Sequence, residues 1–282
     1  MTRPEGQFVA IDGGNIHAVV QGRGPDLVLV HGANGNSRDF TLGLVARLAQ
    51  DYRVIALDRP GFGFSDAFGA PESPLDQAEI LRKAADALGV RRPIVLGHSY
   101  GGAVALAWAL QEKQTAALVL LAPASHPWPG DLGLLYRLAD TRIGQSVILP
   151  LFARLAPRAG IDRAVRGVFA PDPVPEGYLD HLGVDLTLRT SQFLLNARQI
   201  NSLLGYVTGM VPDYPRLTLP IEVLHGTADV TVGLSIHSER LKAEIPSARL
   251  TVLDGVGHMP HHSRPAEVIQ AIDRAAHRAG LR

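Results

Sequence analysis

A serine between glycines lies where a predicted strand meets a predicted helix. Residues 97–101 read GHSYG, directly after the apolar run at 94–96. The chain must turn sharply there, and a Cβ at Gly97 or Gly101 would clash within the turn. Such a turn leaves the Ser99 hydroxyl exposed at the carboxyl edge of a sheet. The motif therefore predicts nucleophilic catalysis by Ser99.

A serine hydroxyl is a poor nucleophile unless a base removes its proton. The candidate base is His258, which follows the last predicted strand in the segment GVGH. The candidate acid is Asp229, which follows the fifth core strand in the segment HGTAD. A carboxylate that accepts the ring N–H of a histidine fixes its tautomer and stabilises the imidazolium. Ser99, Asp229 and His258 are the predicted catalytic residues.

Other carboxylates and histidines compete for these roles. Asp254 lies four residues before His258, and Asp58 precedes the segment RPG at 59–61, where we expect it to fix the loop. His261 and His262 lie in the turn after His258, and we expect them to be structural.

A glycine-rich segment follows the first core strand and reads HGANGN at 31–36. Its glycines let the backbone approach a ligand closely. An oxyanion formed at a serine needs N–H donors, and a helix N-terminus supplies one. We expect the amides of Ala33 and Tyr100 to bind the oxyanion, with the amide of Asn34 as the second choice in the loop. His31 is expected to brace this loop.

The elements that position these residues alternate between strand and helix. Buried strands bounded by glycine, proline or aspartate, with helices between them, predict a mostly parallel sheet in an α/β fold. A hairpin turned at Gly13 and Gly14 precedes them. Core strands are predicted at 27–30, 54–57, 94–96, 118–121, 221–224 and 250–253, and helices at 73–89, 100–111 and 265–279.

One helical, proline-punctuated segment interrupts this alternation. We predict a core at 1–124 and 216–282 and an inserted helical cap at 125–215. Because the insert joins two parallel strands, it should cover the carboxyl edge that carries the catalytic residues. Apolar side chains of the cap should favour a largely apolar substrate. The residues expected to contact substrate are Asn34, Trp128, Phe152, Phe193 and Met259.

In the order and spacing of these motifs, the chain resembles the α/β-hydrolase superfamily. The resemblance rests on His31-Gly32, the segment DRPGFGFS at 58–65, the turn at 97–102, Asp229 and Gly257-His258, and it covers roughly 7–124 and 216–278. It implies the α/β-hydrolase fold, the chain order Ser, Asp, His, and no metal or organic cofactor. Relatives that open epoxides or remove halogen use aspartate where this chain has Ser99.

The preferred function is hydrolysis of a carboxylic ester, through an acyl-serine intermediate, on a small to medium, largely apolar substrate. Carbon–carbon bond hydrolysis of a ring-fission product is the first alternative, although such relatives often carry a bulky aromatic residue where this chain has Met259. Cofactor-free haloperoxidase or perhydrolase activity is a second alternative. A non-catalytic ligand receptor on the same fold is the alternative from another class.

Composition gives no reason to expect a macromolecular partner, and we expect the partner to be a small-molecule substrate. The chain has 27 basic and 27 acidic residues, so nothing in its balance favours nucleic acid or an anionic membrane. It has no cysteine, which excludes disulfides and thiolate chemistry. We see no signal peptide or membrane-spanning run and expect a cytoplasmic protein. No pattern in the sequence indicates an oligomeric state.

Overall fold

The computed structural model describes residues 2–130, 141, 151 and 158–282. Eight strands form one sheet in the order β1-β2-β4-β3-β5-β6-β7-β8. The hairpin strands β1 and β2 are antiparallel, β2 joins β4 antiparallel, and the remaining neighbours are parallel. The strands are β1 Gln7–Ile11, β2 Gly14–Gln21, β3 Asp26–Val30, β4 Arg53–Leu57, β5 Ile94–His98, β6 Ala117–Leu121, β7 Ile221–Gly226 and β8 Ala248–Leu253. The predicted mostly parallel α/β fold is confirmed.

Helices cover both faces of this sheet, which explains why its central strands β3, β5 and β6 are apolar and buried, whereas the edge strand β1 is mostly exposed. Alternate residues of β3 point to opposite faces, with Val28 and Val30 in one buried cluster and Leu27 and Leu29 in the other. The core helices are α1 Arg38–Thr41, α2 Leu44–Leu48, α3 Pro74–Ala87, α4 Tyr100–Gln111, α9 Ser238–Glu244, α10 Pro260–Ser263 and α11 Pro265–Arg278. Helices α3, α4 and α9 pack on the first face, and α1, α2 and α11 on the second.

Helix α3 begins as its sequence predicts. The Ser73 hydroxyl accepts a hydrogen bond from the amide of Leu75 at 3.1 Å, and Pro74 occupies the first helical position. The apolar stripe of the helix, including Leu81 and Ala84, is fully buried against the sheet.

The described part of the insert lies between β6 and β7 and is helical. It contains α5 Arg158–Phe169, α6 Tyr178–Leu182, α7 Val184–Thr187, α8 Thr190–Met210 and the 3-10 helix Val211–Arg216. The exact boundaries of a cap at 125–215 stay a prediction. None of the helices in the described part of the chain is both long and apolar enough to span a bilayer.

Candidate active site

Ser99 occupies a strained turn between β5 and α4. Its backbone has φ 53° and ψ −117°, a conformation that residues with a side chain rarely adopt. The turn is held because the Ser99 amide donates to the carbonyl of Leu121 at 2.9 Å. A Cβ at Gly97 would overlap the carbonyl of Gly101, and a Cβ at Gly101 would overlap that of Val30. The flanking glycines are therefore required by close packing, as the motif predicts.

His258 and Asp229 form a buried pair at the same edge of the sheet. Nδ1 of His258 lies 2.6 Å from Oδ2 of Asp229. Because a carboxylate only accepts, Nδ1 carries the proton and donates it, which leaves Nε2 with a free lone pair. Within the described residues, no hydrogen bond to Nε2 is formed. His258 is thus oriented as a base that can take a proton.

The second oxygen of Asp229 is held by the backbone. Oδ1 accepts from the amides of Thr231 and Val232 at 2.8 and 2.9 Å. Burial raises the pKa of Asp229, but hydrogen bonds from His225 and His258 and the backbone outweigh it and hold the pKa far below its usual range. The carboxylate is therefore ionised at neutral pH.

His98 connects the serine turn to the loop of the base. Its Nε2 lies 2.9 Å from the backbone carbonyl of His258, so Nε2–H donates. Burial, with His261 and His258 nearby, holds the pKa of His98 well below its ordinary value. A neutral ring next to Ser99 in the chain therefore fixes the backbone of His258 relative to the serine.

The loop after β3 lies against the serine. A Cβ at Gly32 would come within 3.2 Å of the Cβ of Ser99 and 3.0 Å of Nδ1 of His98. The next residues of the loop, starting with Ala33, are therefore carried close to Ser99. Within the described chain, the amides of Ala33 and Tyr100 make no hydrogen bond to a protein group. Their role as oxyanion donors stays a prediction.

The amide of Asn34 is already occupied. It donates to Oδ1 of Asn196 in α8 at 2.8 Å, and the Asn196 side chain is buried. The Asn34 amide is therefore engaged by the insert, and Ala33 stays the predicted oxyanion donor of the loop. The φ of Asn34, 54°, lies in the left-handed region, and the hydrogen bond that its amide donates to Asn196 helps to hold it there.

The rival acids have other partners. Asp254 accepts from the Thr227 hydroxyl at 3.2 Å. Asp58 accepts from the amides of Ser37 and Phe64 at 2.6 and 2.9 Å and lies 2.8 Å from Nδ1 of His17. The structure places neither of them on His258 and shows Asp58 fixing the loop after β4.

His261 and His262 belong to a buried network around Asp39. Their Nε2 atoms each lie 3.0 Å from Asp39, and the hydroxyl of Tyr178 in α6 donates to it at 2.8 Å. Burial raises the pKa of Asp39, but the electrostatic interaction with His261 and the hydrogen bonds from His261 and His262 more than compensate and hold the pKa well below its usual range. The network joins the insert to α1 and α10.

The candidate metal-binding group among the described residues lies in this same network. Among the described residues, only Asp39, His98 and His261 bring donor atoms within 4.8 Å of one another. Both oxygens of Asp39 already accept hydrogen bonds, so the carboxylate is satisfied by protein donors. The group is built as a hydrogen-bond network, and the expectation that no metal takes part stays a prediction.

The residues predicted to contact substrate are spread around the insert. Trp128 is half-buried, packs on the core and lies 6.0 Å from the ring of His237. Met259 is buried with Phe169 and other apolar residues of the insert, so at least part of its role is packing. Phe193 is half-buried on α8, Asn34 is exposed, and Phe152 lies outside the described residues.

The described part of the insert reaches the loops that carry the site. Gln192 donates to the carbonyl of Gly63 at 3.0 Å, and Asn196 holds the loop after β3. On the other side, Oδ2 of Asp172 accepts from the amide of Gly257, next to His258, at 2.9 Å. These contacts place helices of the insert at the carboxyl edge of the sheet.

Several residues that organise the site carry no local signal in the sequence. Asn196 and Asp39 stand in ordinary helical patterns, and only their contacts in space single them out. Arg59 lies in a recognised motif, yet only the structure shows that it is fully buried. An arginine directly after a buried strand was the one available signal.

Comparison with known proteins identifies the family of the chain. The sequence model of the alpha/beta hydrolase family matches residues 27–271. The chain belongs to this family. The predicted superfamily is confirmed, and with it the coarser prediction of a hydrolase. The catalytic roles of Ser99, Asp229 and His258 are not tested by this match.

Three similar proteins illustrate the range of this hydrolase family. An uncharacterized protein of Mycobacterium tuberculosis is 29% identical over 280 residues, 96% of this chain and 81% of the relative. A 2-hydroxy-6-oxo-6-phenylhexa-2,4-dienoate hydrolase of Burkholderia cepacia is 27% identical, covering 86% of this chain and 84% of the relative. The crystal structure of an esterase from Rhodococcus sp. superposes with a TM-score of 0.71 at 27% identity, covering 95% of this chain and 97% of that one.

Proposed function

We propose that this hydrolase cleaves carboxylic esters through an acyl-serine intermediate. The observation that carries the proposal is the buried 2.6 Å contact between His258 and Asp229, in a loop that His98 ties to the turn of Ser99. This arrangement gives His258 a basic nitrogen in a loop that is tied to the serine turn, and a serine needs such a base to act as a nucleophile. The similarity to an esterase from Rhodococcus sp. supports the choice of an ester.

The proposed reaction has two halves. Oγ of Ser99 attacks the ester carbonyl carbon while Nε2 of His258 takes the hydroxyl proton. The oxyanion faces the amides of Ala33 and Tyr100, and its collapse expels the alcohol, which receives the proton from His258. Water then gives a proton to His258 and attacks the acyl carbon, and Ser99 regains its proton as the acid leaves. Asp229 stays ionised throughout and stabilises the imidazolium.

Apolar side chains near the site support an apolar acyl or alcohol group. Phe193 on α8 and Met259 beside His258 are the described candidates for contact with it. If the helices of the insert cover the carboxyl edge of the sheet, they would exclude water from the site and strengthen the contacts to the oxyanion.

Carbon–carbon bond hydrolysis is the second candidate. The relative from Burkholderia cepacia acts on a dienoate that carries a keto group, and it aligns with most of this chain. The same serine, histidine and aspartate would serve in either reaction. Parallel assays with aryl esters and with this dienoate would separate the two functions by their relative kcat/KM.

A fluorophosphonate probe tests the nucleophile on which both functions depend. We expect covalent labelling of the wild type and no labelling of Ser99→Ala, with an unchanged circular dichroism spectrum. Ser125→Ala is the matched control, because the Ser125 hydroxyl also contacts a histidine, at 2.9 Å from Nδ1 of His126. Labelling that survives in Ser99→Ala, or is lost in Ser125→Ala, contradicts the assignment. Labelling without turnover of any ester or of the dienoate would favour a receptor.

A further inference from the structure

Arg59 is a buried cation without a carboxylate partner. Its side chain is 0% exposed, and within the described residues it forms no ion pair. Nη1 donates to the amide oxygens of Gln77 and Gln199 at 2.8 Å each, and Nη2 donates to the carbonyl of Gly32 at 3.0 Å. Burial lowers the pKa of Arg59 to about 10, so the guanidinium remains charged at neutral pH. Its hydrogen-bond partners are all neutral, and a cation buried in this way calls for a functional reason.

The carbonyl of Gly32 receives a second donor from His31. Nδ1 of His31 lies 2.9 Å from this oxygen, and Nε2 accepts from the backbone amide of Arg59 at 3.0 Å. Because Nε2 accepts, the proton of the neutral ring is on Nδ1, and Nδ1–H donates to Gly32. Burial, with the adjacent Arg59 charge, lowers the pKa of His31 to about 3, so the ring stays neutral.

These two donors act on the peptide group that contains the Ala33 amide. The carbonyl of Gly32 and the N–H of Ala33 belong to one planar peptide, and in the trans form they point in opposite directions. Donors at the oxygen end fix the direction of the N–H at the other end. They also polarise the peptide, which makes that N–H a stronger donor, and a charged donor does so more than a neutral one.

Arg59 also touches the second proposed oxyanion donor. Its guanidinium carbon lies 4.5 Å from the ring centre of Tyr100 and 4.4 Å from that of Phe62. The ring of Tyr100 is fixed in turn, because its hydroxyl donates to the carbonyl of Glu72 at 2.8 Å and accepts from Gln77 at 3.0 Å. The same cation therefore contacts the peptide group that carries the Ala33 amide, through the Gly32 carbonyl, and the side chain of Tyr100.

We propose that Arg59 is a positioning residue that supports the oxyanion hole electrostatically, through the peptide group between Gly32 and Ala33. This inference rests on the proposed ester hydrolysis. The neutral side chains of Gln77 and Gln199 matter for this role, because a carboxylate in either place would cancel the positive charge of Arg59 that supports the oxyanion. Gln199 belongs to α8, so the insert helps to hold Arg59 in place.

Arg59→Met tests the charge, and Arg59→Lys restores it. Each protein is assayed with an aryl ester and with its thionoester, whose sulfur anion is a weaker hydrogen-bond acceptor. We expect Arg59→Met to lower kcat for the ester about 10- to 100-fold, somewhat less than loss of a direct donor, with little change in KM. The thionoester rate should fall much less, and Arg59→Lys should recover part of the loss. Arg53→Met is the matched control, since Arg53 bonds Asp26 and the carbonyl of Leu88 away from the site.

Gln77→Glu keeps the inference testable if Arg59→Met does not fold. It preserves the acceptor for Arg59 and adds a negative charge beside it, so the ester rate should again fall more than the thionoester rate. If ester and thionoester rates fall equally in every folded variant, or neither falls, the role of Arg59 is disproved. A wild-type protein that turns over neither substrate would instead overturn the proposed function itself.

Discussion

His225 shares one carboxylate oxygen with the candidate base. Its Nε2 lies 3.2 Å from Oδ2 of Asp229, the oxygen that accepts from His258. Nε2 also lies 2.8 Å from the carbonyl of Val232, and Nδ1 lies 2.6 Å from the hydroxyl of Ser238. Because both partners of Nε2 are acceptors, that nitrogen carries a proton. Asp229 thus receives donors on both oxygens and cannot rotate away from His258.

Replacing Asp229 by asparagine should abolish most of the activity. The amide cannot hold His258 in the tautomer that presents a basic Nε2, and the equivalent change in serine proteases costs about 10⁴-fold in kcat. We expect a loss of that order in steady-state ester hydrolysis. Asp254→Asn is the control and should lose less than tenfold, because Asp254 bonds Thr227 instead. The reverse ranking would move the acid to Asp254.

The neutral ring of His31 should make the fold sensitive to acid. Burial and the Arg59 charge lower its pKa to about 3 in the folded state, against about 6.5 in an unfolded chain. Its contribution to stability is therefore complete above pH 6.5 and is lost as the pH falls toward 3. The loss amounts to at most about 1.4 kcal/mol per pH unit, since only the unfolded state binds the proton.

Urea unfolding of the wild type and His31→Asn between pH 7 and 4 measures this effect. The advantage of the wild type in free energy of unfolding should shrink with falling pH. His277→Asn changes an exposed histidine and is the control, and its free energy of unfolding should follow that of the wild type across this pH range. If the free energy of unfolding of His31→Asn also follows that of the wild type at every pH, His31 is protonated equally in the folded and unfolded states, and the prediction is wrong.

An added methyl group at Gly32 should disturb the serine. The new Cβ would come within 3.2 Å of the Cβ of Ser99 and 3.0 Å of Nδ1 of His98, closer than packed atoms normally approach. We expect Gly32→Ala to lower kcat about tenfold or more by displacing the loop of Ala33. Gly205→Ala in α8 meets no atom within 4 Å and should instead stabilise the helix by about 0.5–1 kcal/mol. Full activity in Gly32→Ala would show that the loop can move without consequence.

The bond between Asn196 and Asn34 should matter for turnover more than for substrate affinity. Asn196→Leu removes the acceptor and leaves the Asn34 amide free, so the loop loses its anchor to α8. We expect kcat to fall about tenfold, roughly the effect of one lost hydrogen bond. Asn196→Gln keeps a neutral amide acceptor on the same helix and should retain more of the rate than Asn196→Leu. Equal losses in both variants would argue against the role of this bond.

The sequence alone determined the parts of the site that depend on neighbours in the chain. The turn at Ser99 was predictable because it needs glycines on both sides and an apolar strand before it. The capped start of α3 was predictable because Ser73 and Pro74 act within one helical turn. Asp229 and His258 could be placed because each follows an apolar strand, and parallel strands bring their carboxyl ends to one edge.

Tertiary structure decided what supports that site. The bond from Asn34 to Asn196 spans 162 residues, and that from His261 to Asp39 spans 222. No local pattern marks such pairs, because a polar residue in a helix reads the same whether it faces solvent or a buried amide. Arg59 shows the difference most clearly. Its position after a strand was visible in the sequence, but its burial, its neutral partners and its contact with the Gly32 carbonyl arise only when the insert, α3 and the sheet are packed together.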